Sequence, residues 1–481
     1  MRNSRTLKAL KTLNTREFRR FKEYVHSPFF NKNRNVRKLI DVMDKYYPKF
    51  DSNSITEENI FNKIFPELDY DYFKLRNLLS ELFKLYNSYL KIIAYEKTEL
   101  EGDIDLLSEL HDRKQDVPYR QIDSETEKKL ASSQIKDEYY FYLKHKLNKI
   151  NTSHYKFDKS KKYEFDSIQT EFNSFLQYSI TGLLQHYSKM LHNRNHGNIK
   201  YNMEMFDLVM EYIKDKDFRE SPSCMIYKQI ILVELSRKEE DYRKLLKLKE
   251  KFKNNISRED LYYVYLVMNS FSVGRLRMGD ESYYKDRFAA LKGVVDEQFF
   301  ASDYILFPNF ISTFTSACMI DEFKWASDFM EKHSDGISPV KEKNNTITYC
   351  KAFLAYRKRE YDKALDLFAV TNFKFFLFKV MVRSYMLRIY YEKDLHEQTL
   401  NAVDAFRHYL KSEEMIDEDQ KKAHYDFLKH LTTLSNMKIE NNQKKNFPSI
   451  MSLEKQIQLM DNSLGIRNWL LNKTKELLNS T

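Results

Sequence analysis

Glycine and proline are scarce, eight of each in 481 residues. Sheet-rich proteins with tight turns need many of both, so the shortage excludes them and predicts helices almost throughout. Cysteine is rarer still: Cys224, Cys318 and Cys350 lie far apart with no C-x-x-C spacing. That excludes a dense disulfide framework and a cysteine-rich zinc site, and it points to a reducing compartment. Long apolar runs are also missing. The richest stretch, Phe373 to Tyr391, is broken by Lys374, Lys379, Arg383 and Arg388, well short of the roughly 20 apolar residues of a membrane span. The basic segment Met1 to Phe18 has no continuous apolar core of the kind a secretory leader carries. These absences predict a soluble, cytoplasmic protein without a membrane partner.

Motifs for chemistry are equally sparse. The chain has no G-x-G-x-x-G, no G-x-x-x-x-G-K-[ST], no H-E-x-x-H and no G-x-S-x-G, so the common phosphate cradles, zinc sites and nucleophile elbows are missing. His192 and His196 are four apart, the spacing of two ligands on one helix face. The run HNRNHG that contains them ends in Gly197 and brings no third ligand, so it reads as a polar loop at a helix end. The three cysteines sit in apolar helical patterns (SCMIY, ACMI, YCKAF) and read as small buried residues. No catalytic residue, cofactor or metal is expected.

What the chain does have is apolar and charged residues in quantity, 42% and 31%, with 35 Phe and 34 Tyr, which predicts aromatic helix interfaces. A chain of this length exceeds one ordinary core and calls for several domains or an elongated array. Charge is concentrated at the start. Residues 1–50 hold fourteen Lys or Arg against four acids, an excess of ten that equals the formal net charge of the whole chain. Helix signals there are clean: Asn14 with Glu17 forms a capping box, Phe18, Phe21 and Val25 share a face, and Ser54 with Glu57 opens a later helix. A long helix from about Asp71 to Glu99 closes the group, with Gly102 as its end. This basic helical domain spans 1–101. On its first helices Arg16, Arg19, Arg20, Arg34, Arg37 and Lys38 are candidate phosphate contacts, which would make nucleic acid a partner through residues 1–50. A polar linker follows over 102–132, then a helical region over 133–300.

The clearest regularity lies further on. Ala326, Ala364 and Ala402 are 38 residues apart, and each is followed four residues later by a bulky apolar residue, Met330, Phe368 and Phe406. An apolar helix precedes each alanine, so the unit is a hairpin of two helices, with alanine allowing close approach and the large residue filling the gap. The stretch AFLAYRKREYDKALDLF, Ala352 to Phe368, resembles a tetratricopeptide repeat through Ala352, Tyr361, Ala364 and Phe368. The resemblance implies a right-handed superhelix whose concave face holds a protein or peptide segment. The interval is 38 rather than the family's usual length of about 34. The repeats are placed at 301–440. Residues 441–481, with Leu453, Ile457, Met460, Leu464 and Trp469, are expected as capping helices over the open end of the array.

The sequence therefore predicts an all-α chain, an N-terminal helical domain followed by an α-solenoid-like array of antiparallel hairpins with a C-terminal cap. Two functions fit: a non-enzymatic repeat scaffold that binds a protein or peptide, or a nucleic-acid-binding regulator whose repeats sense a partner.

Overall fold

The computed structural model describes residues 4–53, 55–155, 166–197, 199–216, 218, 221–300, 304–415, 418–440, 447–462 and 465–479. Among them are twenty-three α-helices, and the only strands are two-residue pieces, β1 (Ile305–Leu306) and β2 (Ile337–Ser338), paired in parallel. The chain is all-α. None of these helices is long and apolar enough to cross a membrane. It forms two compact units: Met1–Ser133 with Tyr140–Phe175, and Gln134–Tyr139 with Leu176–Thr481.

In the first unit, α1 (Arg5–Leu10), α2 (Thr15–His26), α3 (Arg34–Asp44) and α4 (Glu57–Ile64) pack on the long α5 (Tyr72–Glu96). The capping box of α2 forms as the sequence predicts, Glu17 N donating to Asn14 Oδ1 at 2.9 Å and Asn14 N to Glu17 Oε2 at 3.0 Å. Phe18, Phe21 and Val25 are buried with Leu75, Leu78 and Leu82 of α5 in one core. Ser54, the expected cap of α4, lies outside the described residues; Thr56 caps that helix.

The expected linker at 102–132 is instead a pair of packed helices, α6 (Glu99–Asp112) and α7 (Asp116–Ala131). Gly102, expected as a stop, lies inside α6. A thin apolar stripe suffices, because Ile104, Leu107 and Tyr119 are fully buried and Leu130 nearly so. Pro118 sits in the first turn of α7, where no amide needs an intrahelical acceptor. Lys129 of α7 donates to Glu99 and Asp103 of α6, both at 2.8 Å. Tyr119 Oη donates to Asn151 Oδ1 of α8 (Glu138–Tyr155) at 2.6 Å, and Asn151 Nδ2 to Asp123 at 2.8 Å. The helix α9 (Asp166–Gly197) leads into the second unit.

There α10 (Phe206–Ile213) is followed by helices that pack in consecutive pairs: α11 (Pro222–Ser236) with α12 (Glu239–Phe252), α13 (Arg258–Arg277) with α14 (Tyr283–Asp296), α15 (Phe307–Met319) with α16 (Phe323–His333), α17 (Lys343–Arg357) with α18 (Tyr361–Ala369), and α19 (Phe376–Glu392) with α20 (His396–Ser412). Connections this short leave only antiparallel pairing. The last three pairs turn in the same way. Asp321, Arg359 and Asp394 hold φ of 63°, 62° and 58°. The next amide in each turn bonds back to the helix: Glu322 N to Ala317 O at 3.0 Å, Glu360 N to Ala355 O at 2.9 Å, and Leu395 N to Tyr390 O at 3.0 Å. This is the left-handed helix end usually given to glycine, built here without one.

Five residues after each left-handed residue stands a side chain with no exposed surface: Ala326, Ala364 and Thr399. Ala326 and Ala364 therefore occupy matching places, and Ala402 does not. The third turn comes early, 35 rather than 38 residues after the second, so Thr399 takes the crossing position and Ala402 is only partly buried. Phe368 is buried behind Ala364. Met330 is only partly buried, and Phe329 fills the space beside it. Phe406 is buried in a separate core with Val403 and the C-terminal helices.

Those helices are α21 (Glu418–Glu440), α22 (Phe447–Gln458) and α23 (Ile466–Asn479). Leu453, Ile457 and Met460 are buried in one core with Val380 and Leu387 of α19 and with Val403 and Phe406 of α20; Leu464 and the run 441–446 lie outside the described residues. Asn462 Nδ2 donates to Leu276 O at 2.8 Å and Asn468 Nδ2 to Gly279 O at 2.9 Å, so the C-terminal segment returns to the turn between α13 and α14.

Candidate binding cavity

The return of the C-terminal segment encloses a cavity of about 650 Å³ in the second unit. Its wall is built mainly from the first helix of successive pairs: Leu276 and Arg277 of α13, Ile311, Ser312 and Thr315 of α15, Phe353, Tyr356 and Arg357 of α17, and Met381, Tyr385 and Arg388 of α19. Of the second helices α14 alone contributes, through Tyr284 and Arg287; α16, α18 and α20 contribute none of the lining residues. Trp469 of α23 and His424 of α21 complete it. The volume falls in the range of ordinary ligand sites and the walls are largely aromatic and aliphatic.

The polar part of this wall is cationic. Arg277, Arg287, Arg357 and Arg388 line the cavity, with Glu281 as the lining carboxylate. Arg357 is engaged, its Nη2 3.0 Å from Asp321 Oδ1 and its Nε donating to Cys318 O at 3.1 Å. Arg388 lies over the Tyr385 and Trp469 rings, 5.1 and 5.7 Å from their centroids. Arg287 donates through Nη2 to Ser312 Oγ at 2.8 Å, while its buried Nε has no hydrogen-bond partner among the described residues. Burial lowers its guanidinium below the usual range, and the only groups opposing that shift are the Tyr284 and Tyr385 hydroxyls. His424, 7% exposed, also has a buried Nδ1 without a hydrogen-bond partner among the described residues, and burial lowers its imidazole to about 4.

The second cluster worth testing lies at the end of α9. The HNRNHG run, expected as a loop, is helical through Gly197, because Asn195 Nδ2 donates to Glu234 O of α11 at 3.0 Å and fixes the last turn. The ring nitrogens of His192 and His196 and a carboxylate oxygen of Glu234 lie within 4.8 Å of one another, a ligand set in kind. Glu234 is fully engaged, however. His192 Nδ1 lies 2.8 Å from Oε1, Asn195 Nδ2 donates to Oε2 at 2.8 Å, and Arg237 Nη2 sits 3.1 Å from Oε2. Burial raises the Glu234 carboxyl, but these three partners more than offset it and leave it below the ordinary range. A cation entering here would meet the Arg237 guanidinium, so the cluster acts as a charge-compensated clamp of α11 on α9.

No known protein family, curated protein or solved structure matches the chain.

The basic residues singled out in the N-terminal domain lie on two packed helices, Arg16, Arg19 and Arg20 on α2 and Arg34, Arg37 and Lys38 on α3. Arg20 Nη2 is bound to Glu96 Oε1 of α5 at 2.6 Å. Arg37 is partly buried, and its Nε is enclosed. Arg16, Arg19, Arg34 and Lys38 are exposed. Neighbouring Lys22 is neutralised by Asp44 at 2.8 Å and Asp41 at 3.2 Å. The cysteines are buried, as their patterns suggest. Sequence reasoning missed Arg287. The available signal was a lone cation interrupting the apolar stripe of Tyr284, Phe288 and Leu291 on α14.

Proposed function

We propose that this protein is a non-enzymatic helical-hairpin scaffold of tetratricopeptide-like kind, and that the cavity of its second unit holds a segment of a protein or peptide partner. One observation carries the reading. The first helices of four successive pairs, α13, α15, α17 and α19, share a single concave wall from which α16, α18 and α20 are absent, which is how stacked hairpins present a binding surface. The matched turns at Asp321, Arg359 and Asp394 support the repeat.

Selection of a displayed peptide library against the full chain tests it. Binders are expected whose affinity falls about tenfold or more with Thr315→Trp inside the cavity, and stays unchanged with Lys324→Trp on the exposed face of α16. Binders indifferent to Thr315→Trp, or a library that yields none, would overturn the reading.

A further inference from the structure

Resting on that reading, we propose that the cavity selects a peptide segment bearing a carboxylate, and that Arg287 is its anchor. Four arginines and one glutamate line the space, so the wall carries an excess of positive charge that its own residues do not cancel. Arg357 has its carboxylate in Asp321, and Arg388 is spread over two rings. Arg287 has a serine hydroxyl and two tyrosines around it, and no carboxylate within ion-pair distance among the described residues.

Arg287 is partly buried; a guanidinium partly withdrawn from water without a counter-charge is unfavourable, and an unpartnered buried N–H adds to that. The missing counter-charge is supplied when an anion accepts from the guanidinium, and a carboxylate matches its planar donor geometry. The remaining wall is apolar: Phe353, Met381 and Trp469 suit the aliphatic or aromatic side chains that flank such a group. The same balance disfavours a basic segment, which would add cations to a wall where they already outnumber the single carboxylate. The carboxylate can come from an Asp or Glu side chain or from a free C-terminus, and the chemistry at Arg287 is the same.

Fluorescence polarisation on the full chain decides it, with synthetic peptides taken from the library selection in three forms: as selected, with each Asp or Glu changed to Asn or Gln, and with the C-terminus amidated. Removing the critical carboxylate is expected to weaken binding about tenfold or more. The form that fails tells which source supplies it. Arg287→Met, which keeps the aliphatic stem, should abolish this discrimination while its thermal midpoint stays at or above the parent's, since an uncompensated cation has been removed. Should that variant fold poorly, Arg287→Lys keeps the charge and loses the fork, and a weakened but surviving preference is expected. Cavity-dependent peptides that bind equally well without carboxylates would overturn the inference and leave the scaffold reading standing. Equal weakening of all three forms by Arg287→Met, or cavity-dependent binding of an oligonucleotide in place of acidic peptides, would overturn it too. Absence of any peptide binding would remove the reading beneath it.

Discussion

Asn462 and Leu276, 186 residues apart, are joined by a hydrogen bond from the asparagine side chain to the leucine carbonyl, 2.8 Å long and buried. The same asparagine accepts through Oδ1 from Asn468 N at 3.0 Å, so one side chain joins the first turn of α23 to the end of α13. Asn462 also lines the cavity. Asn462→Ala removes both bonds and leaves the Leu276 carbonyl with the Gly279 amide, at 2.9 Å, as its remaining donor. A loss of about 2 kcal/mol is expected from urea unfolding of the second unit. Amide exchange should quicken first in α23, and retained protection there would show that the strap is dispensable.

The left-handed turn residues make a prediction of opposite sign. Arg359 is exposed with φ of 62°, and an L-residue there carries a conformational cost of about 1 kcal/mol that glycine escapes. Arg359→Gly is therefore expected to stabilise the second unit by about 0.5–1 kcal/mol. Arg359→Val should destabilise it. Unfolding midpoints of the two variants, compared at equal slope, separate the outcomes.

His424 sets a pH dependence. Buried against Phe406, with Asp461 as the neighbouring group that opposes the shift, its folded-state pKa is lowered to about 4, against roughly 6.5 when unfolded. Between these values the unfolded chain binds the extra proton, so stability rises with pH across that window. The contribution is full above about pH 6.5 and is lost as pH falls toward 4, by roughly 3 kcal/mol at most. His424→Leu should flatten the stability profile over that interval. An unchanged slope would assign the acid sensitivity to other groups.

The α6–α7 pair should behave as folded structure. Limited trypsin digestion is expected to spare Arg120, Lys128 and Lys129, which a linker would expose. Tyr119 is fully buried, stacked on His154 at 3.6 Å, and Tyr119→Ala is expected to cost about 3–4 kcal/mol in the first unit. Early cleavage at these sites in the parent chain would contradict the helical assignment.

How far the sequence could be read follows from the range of the forces involved. Helix starts, apolar faces and the burial of Ala364 and Phe368 depend on neighbours within one or two turns, and these were legible. So was the helical class, because scarce glycine and proline leave few alternatives. The same scarcity misled at the turns. Asp321, Arg359 and Asp394 adopt left-handed φ without being glycine, since packing of the paired helices outweighs a local cost of about 1 kcal/mol. It is also the early third turn that puts Thr399, not Ala402, at the crossing. The helices at 99–131 were hidden because their apolar stripe is only a few residues wide and gains its value from partners such as Asn151.

The sequence by itself determined an all-α chain with a charge-rich start and paired helices near its end. Tertiary structure alone decided that Asn462 and Asn468 return to the end of α13, and that Arg287 stands in a cavity without a counter-ion among the described residues. Both depend on groups brought together from distant parts of the chain, and neither periodicity nor capping carries information over that distance.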